Sequence, residues 1–419
     1  MGKTYSVAII GVGSRGGNTY AHELSKHPEK FKIVSLCDIS STQLDKFAKN
    51  HNISPELCFS SVEEFFKEKR ADILCVATPD KYHIQHAIAG LKLGYDLLLE
   101  KPISDKKEEL EELLRTQKQY GGKVCVCHVL RYAPGFVKVA EILDSGVIGQ
   151  LVTMESLEQV EFFHQAHSYV RGNWRRSEDS TPMIMAKCCH DLDLLQNYAG
   201  SRCVSVSSVG DLSFFTAENA PEGATLRCVD CPHKDTCAYS ATVYLKRWHY
   251  SGKPENAWPW NVITPVVPLT EDAICNSIQT GPYGRCVFAC DNNVVDHQIT
   301  MMQFENGVTA SLTMTAFTAA GGREMRLHGT RGEIVFSELR NSIEVKIYGK
   351  GVQTFDIAKL SDGGHSHGGG DAMIVKTLYD ILEGHQVERT SLVSSVESHL
   401  IAIAAEESRL KNGERVAVH

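Results

Sequence analysis

Glycines with the spacing of a phosphate-binding loop lie close to the N-terminus. Gly11, Gly13 and Gly16 follow the apolar run YSVAII and precede a helical pattern. Gly11 would permit the tight turn, Gly13 would let the backbone approach a pyrophosphate, and Gly16 would allow the helix to pack closely on the strand. The N–H groups of Ser14 and Arg15, at the start of that helix, would face the phosphates. The spacing therefore predicts a dinucleotide site.

An acidic residue strengthens this interpretation and selects between the two nicotinamide cofactors. Asp38 ends the second apolar run, roughly 20 residues beyond the glycines, as the fingerprint requires. A carboxylate there accepts from the ribose 2′-hydroxyl and repels a 2′-phosphate. The next residues, Ile39, Ser40 and Ser41, include no arginine for that phosphate. NAD is therefore favoured over NADP; the alternative is a purely structural glycine loop.

The elements around this loop alternate between strand and helix. Apolar runs typical of buried strands (YSVAII, KIVSLCD, ADILCVAT, YDLLLEK and KVCVCHV) alternate with helical patterns over about 15–27, 82–93 and 105–120. Such alternation indicates an α/β domain with a doubly wound parallel sheet. We expect this Rossmann domain to span residues 1–128.

The pattern changes after residue 130. Runs of alternating polarity, such as HQITMMQFE, VTASLTMTAFT, REMRLHGT and SIEVKIYG, indicate a sheet with one covered and one open face. Helices are expected over 134–145, 183–199, 371–384 and 393–411. Residues 129–419 are therefore predicted to form an α+β domain on a large, mostly antiparallel open sheet. A cysteine-containing insertion is expected at about 210–290.

Composition excludes several classes of function. The chain has 419 residues, a net charge of −8 and a mean hydropathy of −0.19, which suits a soluble protein of two domains. It has no basic stripe for nucleic acid and no run of about 18 apolar residues for a membrane span. The N-terminus lacks the small-residue cleavage site of a secretory signal, so we expect a cytoplasmic protein without nucleic-acid or membrane partners.

Two further segments carry a family resemblance. Glu100-Lys101-Pro102 ends one strand run, and Thr78-Pro79 with the nearby His83 ends the run before it. Together with the glycine loop, these segments resemble the glucose–fructose oxidoreductase / inositol dehydrogenase (Gfo/Idh/MocA) family. The resemblance implies that Thr78, Pro79, His83, Glu100 and Lys101 line the NAD site, and that Lys101 lies beside the nicotinamide and the reacting carbinol. It also implies a homodimer or homotetramer formed through the open sheet faces.

Alcohol oxidation gives these residues a chemical purpose. A base must take the hydroxyl proton while hydride leaves carbon, and a cation stabilises the developing alkoxide. Lys101 could supply the cation or relay the proton, and His190 matches the family's catalytic histidine. The family's aspartate four residues earlier is replaced here by Ala186. Lys187, on one helical face with His190 and Asp191, is the candidate substitute, although a structural role is equally open. His190 could also be a core histidine.

Other polar residues are candidates for substrate contact: His128 and Arg131 after the last Rossmann strand, Tyr169 and Arg171 in a donor-rich stretch, Asp191, and His297 at the start of a later strand. The glycine-rich segment 363–371 predicts a mobile loop over the site. A metal held by its two histidines, His365 and His367, is the less favoured alternative.

A cysteine cluster is spaced like a set of metal ligands. Cys228, Cys231 and Cys237 lie in a stretch rich in loop residues, and Cys286 or Cys290 could supply a fourth thiolate. Four thiolates would form a closed structural zinc site. An iron–sulfur cluster and uncoordinated thiols are the alternatives.

The sequence as a whole predicts an NAD-dependent oxidoreductase that transfers hydride to or from a hydroxyl carbon of a sugar, sugar acid, cyclitol or glycoside. The alternative is an NAD-dependent glycosidase or lyase that oxidises its substrate transiently, eliminates a group and reduces the product. A non-catalytic NAD sensor is disfavoured because Lys101 and His190 are both present.

Overall fold

The computed structural model describes residues 2–254, 257–266, 268–360, 366–385 and 389–419. Two sheets organise the chain. The first has six strands in the order β3-β2-β1-β4-β5-β6, all parallel. Its strands are β1 Tyr5–Ile10, β2 Phe31–Cys37, β3 Cys58–Phe59, β4 Ile73–Val76, β5 Asp96–Leu99 and β6 Val124–Val126. This confirms the predicted Rossmann fold.

Helices connect these strands and cover the sheet. The first connection begins with wider π-helical turns over Ser14–Ala21 and continues as a short α-helix, His22–Ser25. The remaining helices of this half are Ser41–His51, Val62–Phe65, His83–Lys92 and Lys107–Tyr120. Strands with four buried residues in a row, such as β4, are typical of a sheet covered on both faces.

The second sheet has nine strands in the order β14-β13-β12-β11-β7-β10-β9-β8-β15. Its neighbours are antiparallel except β7 and β10, which are parallel. The strands are β7 Leu151–Glu161, β8 Cys203–Asp211, β9 His297–Phe304, β10 Thr309–Thr318, β11 Gly322–Gly329, β12 Gly332–Ser337, β13 Ser342–Ile347, β14 Gly351–Asp356 and β15 Val416–Ala417. Burial alternates along β9, where Ile299 and Met301 are exposed and their neighbours buried. The mostly antiparallel open sheet is therefore confirmed.

The main helices of the second half are Pro134–Asp144, Met183–Ala186, Cys189–Ala199, Val243–Tyr250, Trp260–Ile263, Glu271–Thr280, Gly370–Leu382 and Leu392–Leu410. The single helix predicted over 183–199 is wrong, because Lys187 and Cys188 break it. The break adjoins the carbonyl of Ala186, which accepts a hydrogen bond from Lys101 Nζ at 3.1 Å.

One helix of the second half packs on the Rossmann sheet. Ile374, Val375 and Leu378 of the helix Gly370–Leu382 share a buried cluster with Val7 and Ile9 of β1. The Rossmann sheet is thus covered partly by a segment that follows it by more than two hundred residues.

The insertion has a core of its own. Tyr244, Trp248, Trp260, Ile274 and Ile278 pack together as one buried cluster. Among the described residues, no helix combines the length and the apolar character that a membrane crossing requires.

Candidate functional site

The glycine loop has the geometry of a dinucleotide cradle. Gly11 has a φ of +88°, and a Cβ there would lie 2.5 Å from the Ala77 carbonyl oxygen. A Cβ on Gly16 would lie 2.0 Å from the carbonyl oxygen of Gly11. A Cβ on Gly13 would meet no atom within 4 Å, so this side of the loop is open to a pyrophosphate. These residues fit an NAD phosphate pair as the sequence predicts.

Asp38 stands directly beside this cradle. Its carboxylate accepts from the N–H of Val12 at 2.8 Å and from the N–H of Ser40 at 2.8 Å. Each carboxylate oxygen has a second lone pair, so the same group can accept from ribose hydroxyls. Asp38 therefore fits the expected ribose contact while it also fixes the loop.

Arg15 is the centre of a charged network at the same loop. Its guanidinium donates to Glu100 Oε1 at 2.5 Å, to Asp371 Oδ1 at 2.7 Å and to the Tyr20 hydroxyl at 2.6 Å. Glu100 and Asp371 are buried. Despite that burial, the Arg15 charge holds the pKa of Glu100 and of Asp371 below its usual range. The network ties the glycine loop to the residue before Lys101.

The Lys101-Pro102 peptide bond is cis. The ring of His83 contacts the carbonyl oxygens of Pro102 and Thr78, each at 2.6 Å. His83 therefore links the ends of two neighbouring strand connections. Pro79 follows Thr78 and leads into the turn Asp80–Tyr82.

A histidine of the last long helix supports the same turn. Nε2 of His399 accepts from the N–H of Ile103 at 2.9 Å, and its Nδ1 donates to the Ser395 carbonyl oxygen at 2.6 Å. These bonds require the neutral ring, and burial lowers the pKa of His399 to about 3. The helix Leu392–Leu410 thus helps to position Lys101.

His190 lies in the first turn of the helix Cys189–Ala199 and is buried. Burial, followed by the positive charge of Lys101, lowers its pKa well below the ordinary value. Nδ1 of His190 has no hydrogen-bond partner among the described residues. The ring is therefore neutral near pH 7 and suited to hydrogen bonding with a substrate.

His128 stands against His190, with ring centroids 5.8 Å apart. It is fully buried, and neither ring nitrogen has a hydrogen-bond partner in the described part of the chain. Burial, followed by the Arg131 charge, lowers the pKa of His128 to about 3. Arg131 pairs with the buried Asp193 at 3.4 Å. The predicted substrate residue His128 thus lies beside His190, and Arg131 pairs with Asp193 of the same helix.

Lys187 belongs to a buried charge network. Its Nζ lies 3.1 Å from Glu158 Oε1, and Glu158 Oε2 lies 2.8 Å from the Arg323 guanidinium. Arg323 also donates to both oxygens of Asp191, at 2.8 and 3.2 Å. Burial raises the pKa of Asp191, although the Arg323 charge opposes the shift. The predicted substrate residue Asp191 is therefore paired with an arginine.

Tyr169 and His164 line the neighbouring part of the site. Their ring centroids lie 5.8 Å apart, and the ring of Trp258 lies 5.2 Å from that of His164. Burial, followed by the positive charge of Lys187, lowers the pKa of His164 well below its ordinary value. His164 and His190 are thus two neutral histidines near two lysines.

Two of the predicted substrate residues, Arg171 and His297, lie in other surroundings than those of His190. The buried guanidinium of Arg171 donates to the carbonyl oxygens of Arg285 at 2.7 Å and Tyr239 at 2.6 Å, which anchors the insertion. His297 contacts the buried Asp296 at 2.7 Å, and that carboxylate accepts from the backbone of Ser213 and Phe214. The structure does not place either side chain among the groups around His190.

The four cysteines proposed for zinc line one small cavity with His233. They are Cys228, Cys231, Cys237 and Cys286. Within the described ranges, however, no group of three or more His, Cys, Asp or Glu is arranged to hold a metal ion. Instead, Cys228 Sγ lies 3.5 Å from the Arg171 guanidinium and 3.6 Å from the Arg285 carbonyl oxygen. The zinc expectation therefore has no support in this arrangement.

The glycine-rich segment brings close to His190 a histidine that the sequence had suggested only as a metal ligand. His367 lies with its ring centroid 5.9 Å from that of His190, and its Nδ1 is 2.8 Å from Asp371 Oδ2. His365, its partner in the alternative metal site, lies outside the described residues. Glu158, Arg323 and His399 were also missed, because no local pattern distinguishes them from ordinary strand and helix residues.

Comparisons with known proteins match both halves of the chain. Residues 5–128 match the family model described as an oxidoreductase family with an NAD-binding Rossmann fold. Residues 140–409 match the model of the same family's C-terminal alpha/beta domain. A Bacillus subtilis protein named as an oxidoreductase, YteT, is 22% identical over 428 residues, which cover 96% of this chain and 94% of that protein.

Other similar proteins have more specific names. The inositol 2-dehydrogenase/D-chiro-inositol 3-dehydrogenase of Lactiplantibacillus plantarum is 21% identical over 45% of this chain and 50% of its own length. A solved structure of levoglucosan dehydrogenase with NADH and L-sorbose superposes with a TM-score of 0.69 at 18% identity, over 100% of both chains. An Agrobacterium radiobacter oxidoreductase solved with NAD+, L-tartaric acid and magnesium gives 0.70 at 15% identity, over 99% of both chains.

These structural likenesses confirm the fold, and the family models extend over both halves of the sequence. The glycine cradle, Asp38 and the Lys101 turn lie within the first matched range. The histidine-bearing helix Cys189–Ala199 lies within the second. The chain therefore belongs to the Gfo/Idh/MocA family of NAD-binding oxidoreductases.

Proposed function

We propose that this protein is an NAD-dependent dehydrogenase that transfers hydride between NAD and a hydroxyl carbon of a sugar, sugar acid, cyclitol or glycoside. The observation that supports this most is that the positive charge of Lys101 lies close enough to the neutral ring of His190 to act on it. Lys101 Nζ is 3.1 Å from the Ala186 carbonyl oxygen, and its charge contributes to the lowered pKa of His190.

Each residue then has a defined task. When NAD is bound, its nicotinamide ring accepts or returns the hydride. Lys101 provides a fixed positive charge for the oxygen that becomes an alkoxide as its proton leaves. His190 binds the same hydroxyl as a neutral hydrogen-bond partner. Gly11, Gly13, Ser14 and Gly16 hold the pyrophosphate, and Asp38 the ribose.

The polar lining supports a polyhydroxylated substrate. The charge of Lys101 acts on the rings of His128, His164 and His190 alike. Arg131 adds a guanidinium beside His128, and Tyr169 adds a hydroxyl beside His164. Similar proteins named for inositol and levoglucosan oxidation favour the same class of substrate. We expect Tyr169 to contact the substrate and Asp191 to act through Arg323.

The proposal is tested with purified protein. Mass spectrometry of the nucleotide released on denaturation identifies the cofactor, and a panel of sugars, sugar acids, cyclitols and glycosides is screened for NADH formation. NADH produced from at least one free polyol supports the proposal. Tight NAD binding without any turnover of the panel would favour a non-catalytic NAD-binding role.

A second candidate is a glycosidase or lyase that oxidises its substrate only transiently. It is favoured by His164, a neutral histidine next to Lys187 that could take the proton alpha to a new ketone. A similar protein, of Mediterraneibacter gnavus, is named 2,7-anhydro-N-acetylneuraminate hydratase; it is 22% identical over 50% of this chain and 53% of its own length. Turnover of a glycoside without net NADH would favour this candidate.

We also infer a homodimer or homotetramer formed through the open face of the second sheet. Val209, Ile299 and Met301 are exposed on neighbouring strands β8 and β9. Light scattering on the purified protein measures the assembly, and a monomer would contradict it.

A structural zinc at the four cysteines stays a prediction, which elemental analysis of the same sample tests.

A further inference from the structure

The loop before the helix Gly370–Leu382 holds a histidine in an unusual backbone conformation. His367 has φ 46° and ψ 45°, and the following Gly368 and Gly369 also have positive φ values of 60° and 91°. A non-glycine residue in this left-handed region costs roughly 1–2 kcal/mol. The surrounding structure must therefore hold this backbone conformation, which leaves the His367 ring 5.9 Å from the ring of His190.

A buried carboxylate orients this histidine. Asp371 Oδ2 lies 2.8 Å from His367 Nδ1, and Asp371 is 2% exposed. Arg15 contacts both oxygens of Asp371, so that carboxylate is ionised and fixed. An ionised acceptor at Nδ1 places the proton of the neutral ring on that nitrogen, which makes Nε2 the proton-accepting atom.

Among the described residues, His190 lacks the carboxylate partner that His367 has. Burial, followed by the charge of Lys101, lowers its pKa, and no carboxylate bonds to it in the described structure. A base whose pKa lies far below the working pH accepts a proton poorly. His367, by contrast, has the ionised carboxylate of Asp371 at 2.8 Å from its Nδ1.

We propose that His367 is the acid/base residue for the substrate hydroxyl and that Asp371 is its positioning residue. This rests on the proposed dehydrogenase function. The pair replaces the carboxylate that Ala186 cannot provide. In the oxidation, His367 Nε2 takes the hydroxyl proton, the O–H electron pair becomes the second bond of the carbonyl, and the C–H hydrogen leaves with its electron pair to the nicotinamide of NAD+. The reverse reaction returns the proton from the imidazolium.

The arrangement also links proton transfer to cofactor binding. Arg15 lies in the glycine loop and bonds both Asp371 and Glu100, the residue before Lys101. The acid/base histidine and the cationic lysine are therefore held by one guanidinium.

Chemical rescue tests the role of His367. In His367→Ala we expect kcat to fall by roughly 10²–10⁴-fold, with the NADH dissociation constant within about threefold of wild type and kcat partly restored by added imidazole. His22→Gln, an exposed histidine of the Rossmann half, is the matched control with unchanged kcat. The effect should appear in kcat rather than in KM.

Asp371 is tested by a spectroscopic signature. Long-range 15N–1H spectra of protein labelled at histidine nitrogens should show the Nδ1-protonated ring for His367, assigned by its absence in His367→Gln. Asp371→Asn should lose that tautomer preference and lower kcat. If Asp371→Asn does not fold, the wild-type spectrum alone decides, because an Nε2-protonated His367 would overturn the proposal.

The kinetic outcomes separate the two proposals. An active wild type whose His367→Ala variant keeps kcat within threefold, or in which imidazole rescues His190→Ala instead, would overturn the assignment of His367 alone. A wild type that oxidises no polyol would overturn the dehydrogenase function, and with it this inference.

Discussion

Lys187 and Glu158 form a buried ion pair, 3.1 Å from Nζ to Oε1, in which the carboxylate also bonds Arg323. The lysine that follows the missing family aspartate is therefore held by an acid from strand β7. This pairing fixes the position of Lys187, and its charge acts on His164.

The first prediction concerns this pair. Glu158→Gln removes the buried carboxylate shared by Lys187 and the buried Arg323. Breaking a buried pair from one side costs about 3–5 kcal/mol. We expect the free energy of unfolding, measured by urea denaturation, to fall by about this amount. Glu155→Gln, on the exposed face of the same strand, should change it by less than about 0.5 kcal/mol. Equal effects of the two changes would contradict the importance of the pair.

The second prediction concerns Lys101. Lys101→Met keeps an unbranched side chain, shorter by one atom, and removes the charge beside the developing alkoxide, so kcat/KM should fall by roughly 10²–10³-fold. NADH binding, followed by fluorescence, should persist, since the glycine loop is intact. Lys81→Met, an exposed lysine nearby, serves as the control. Loss of NADH binding in Lys101→Met would instead assign the lysine to cofactor binding.

The third prediction concerns stability at low pH. The pKa of His128 is about 3 in the folded chain and near 6.5 when exposed. The unfolded state therefore binds more protons between these values, and stability falls as the pH drops through this range. A histidine that is buried in its neutral form adds to the unfolding free energy a pH slope that approaches about 1.4 kcal/mol per pH unit. We expect His128→Leu to reduce the slope of unfolding free energy between pH 6 and 4, chosen as roughly the middle of that range.

Its control is His22→Gln, which should leave the slope as in wild type, because this side chain is exposed. A His128→Leu slope equal to that of wild type would show that the ring of His128 is not buried in its neutral form.

The fourth prediction concerns the choice of cofactor. Asp38→Ser removes a charged acceptor for the ribose hydroxyls, a hydrogen bond worth roughly 1.5–3 kcal/mol. NAD affinity, measured by calorimetry, should fall about 10–100-fold, whereas NADP affinity should fall less or rise, because the repulsion of its phosphate is removed. The NAD affinity of Asp38→Asn should lie between the affinities of wild type and of Asp38→Ser. An unchanged preference for NAD would refute the role of Asp38.

Local patterns were enough to predict the cofactor half. Gly11, Gly13 and Gly16 lie next to a strand, and Lys101 follows one directly, so the rule that ligands bind at the carboxyl ends of parallel strands locates them. The alternating runs likewise predicted an open sheet, because the side-chain period of a strand is two.

Contacts between distant segments could not be predicted from local sequence patterns. The partner of Asp191 is Arg323, 132 positions further along the chain. Lys187 was expected on a helical face with His190, but it lies in a break between helices. Arg171 belongs to a donor-rich stretch, yet the folded insertion surrounds its guanidinium with backbone carbonyls. Only the packing of distant segments decides these cases.

The helix Gly370–Leu382 has a consequence for biosynthesis. It supplies Ile374, Val375 and Leu378 to the core beneath β1, and the Tyr5 hydroxyl bonds Glu383 at 2.7 Å. A nascent chain that has emerged only to residue 128 exposes the apolar surface around β1 until the helix Gly370–Leu382 has been made. At translation rates of about 5–20 residues per second, this interval lasts on the order of tens of seconds. Chaperones therefore have a defined surface to protect during that time.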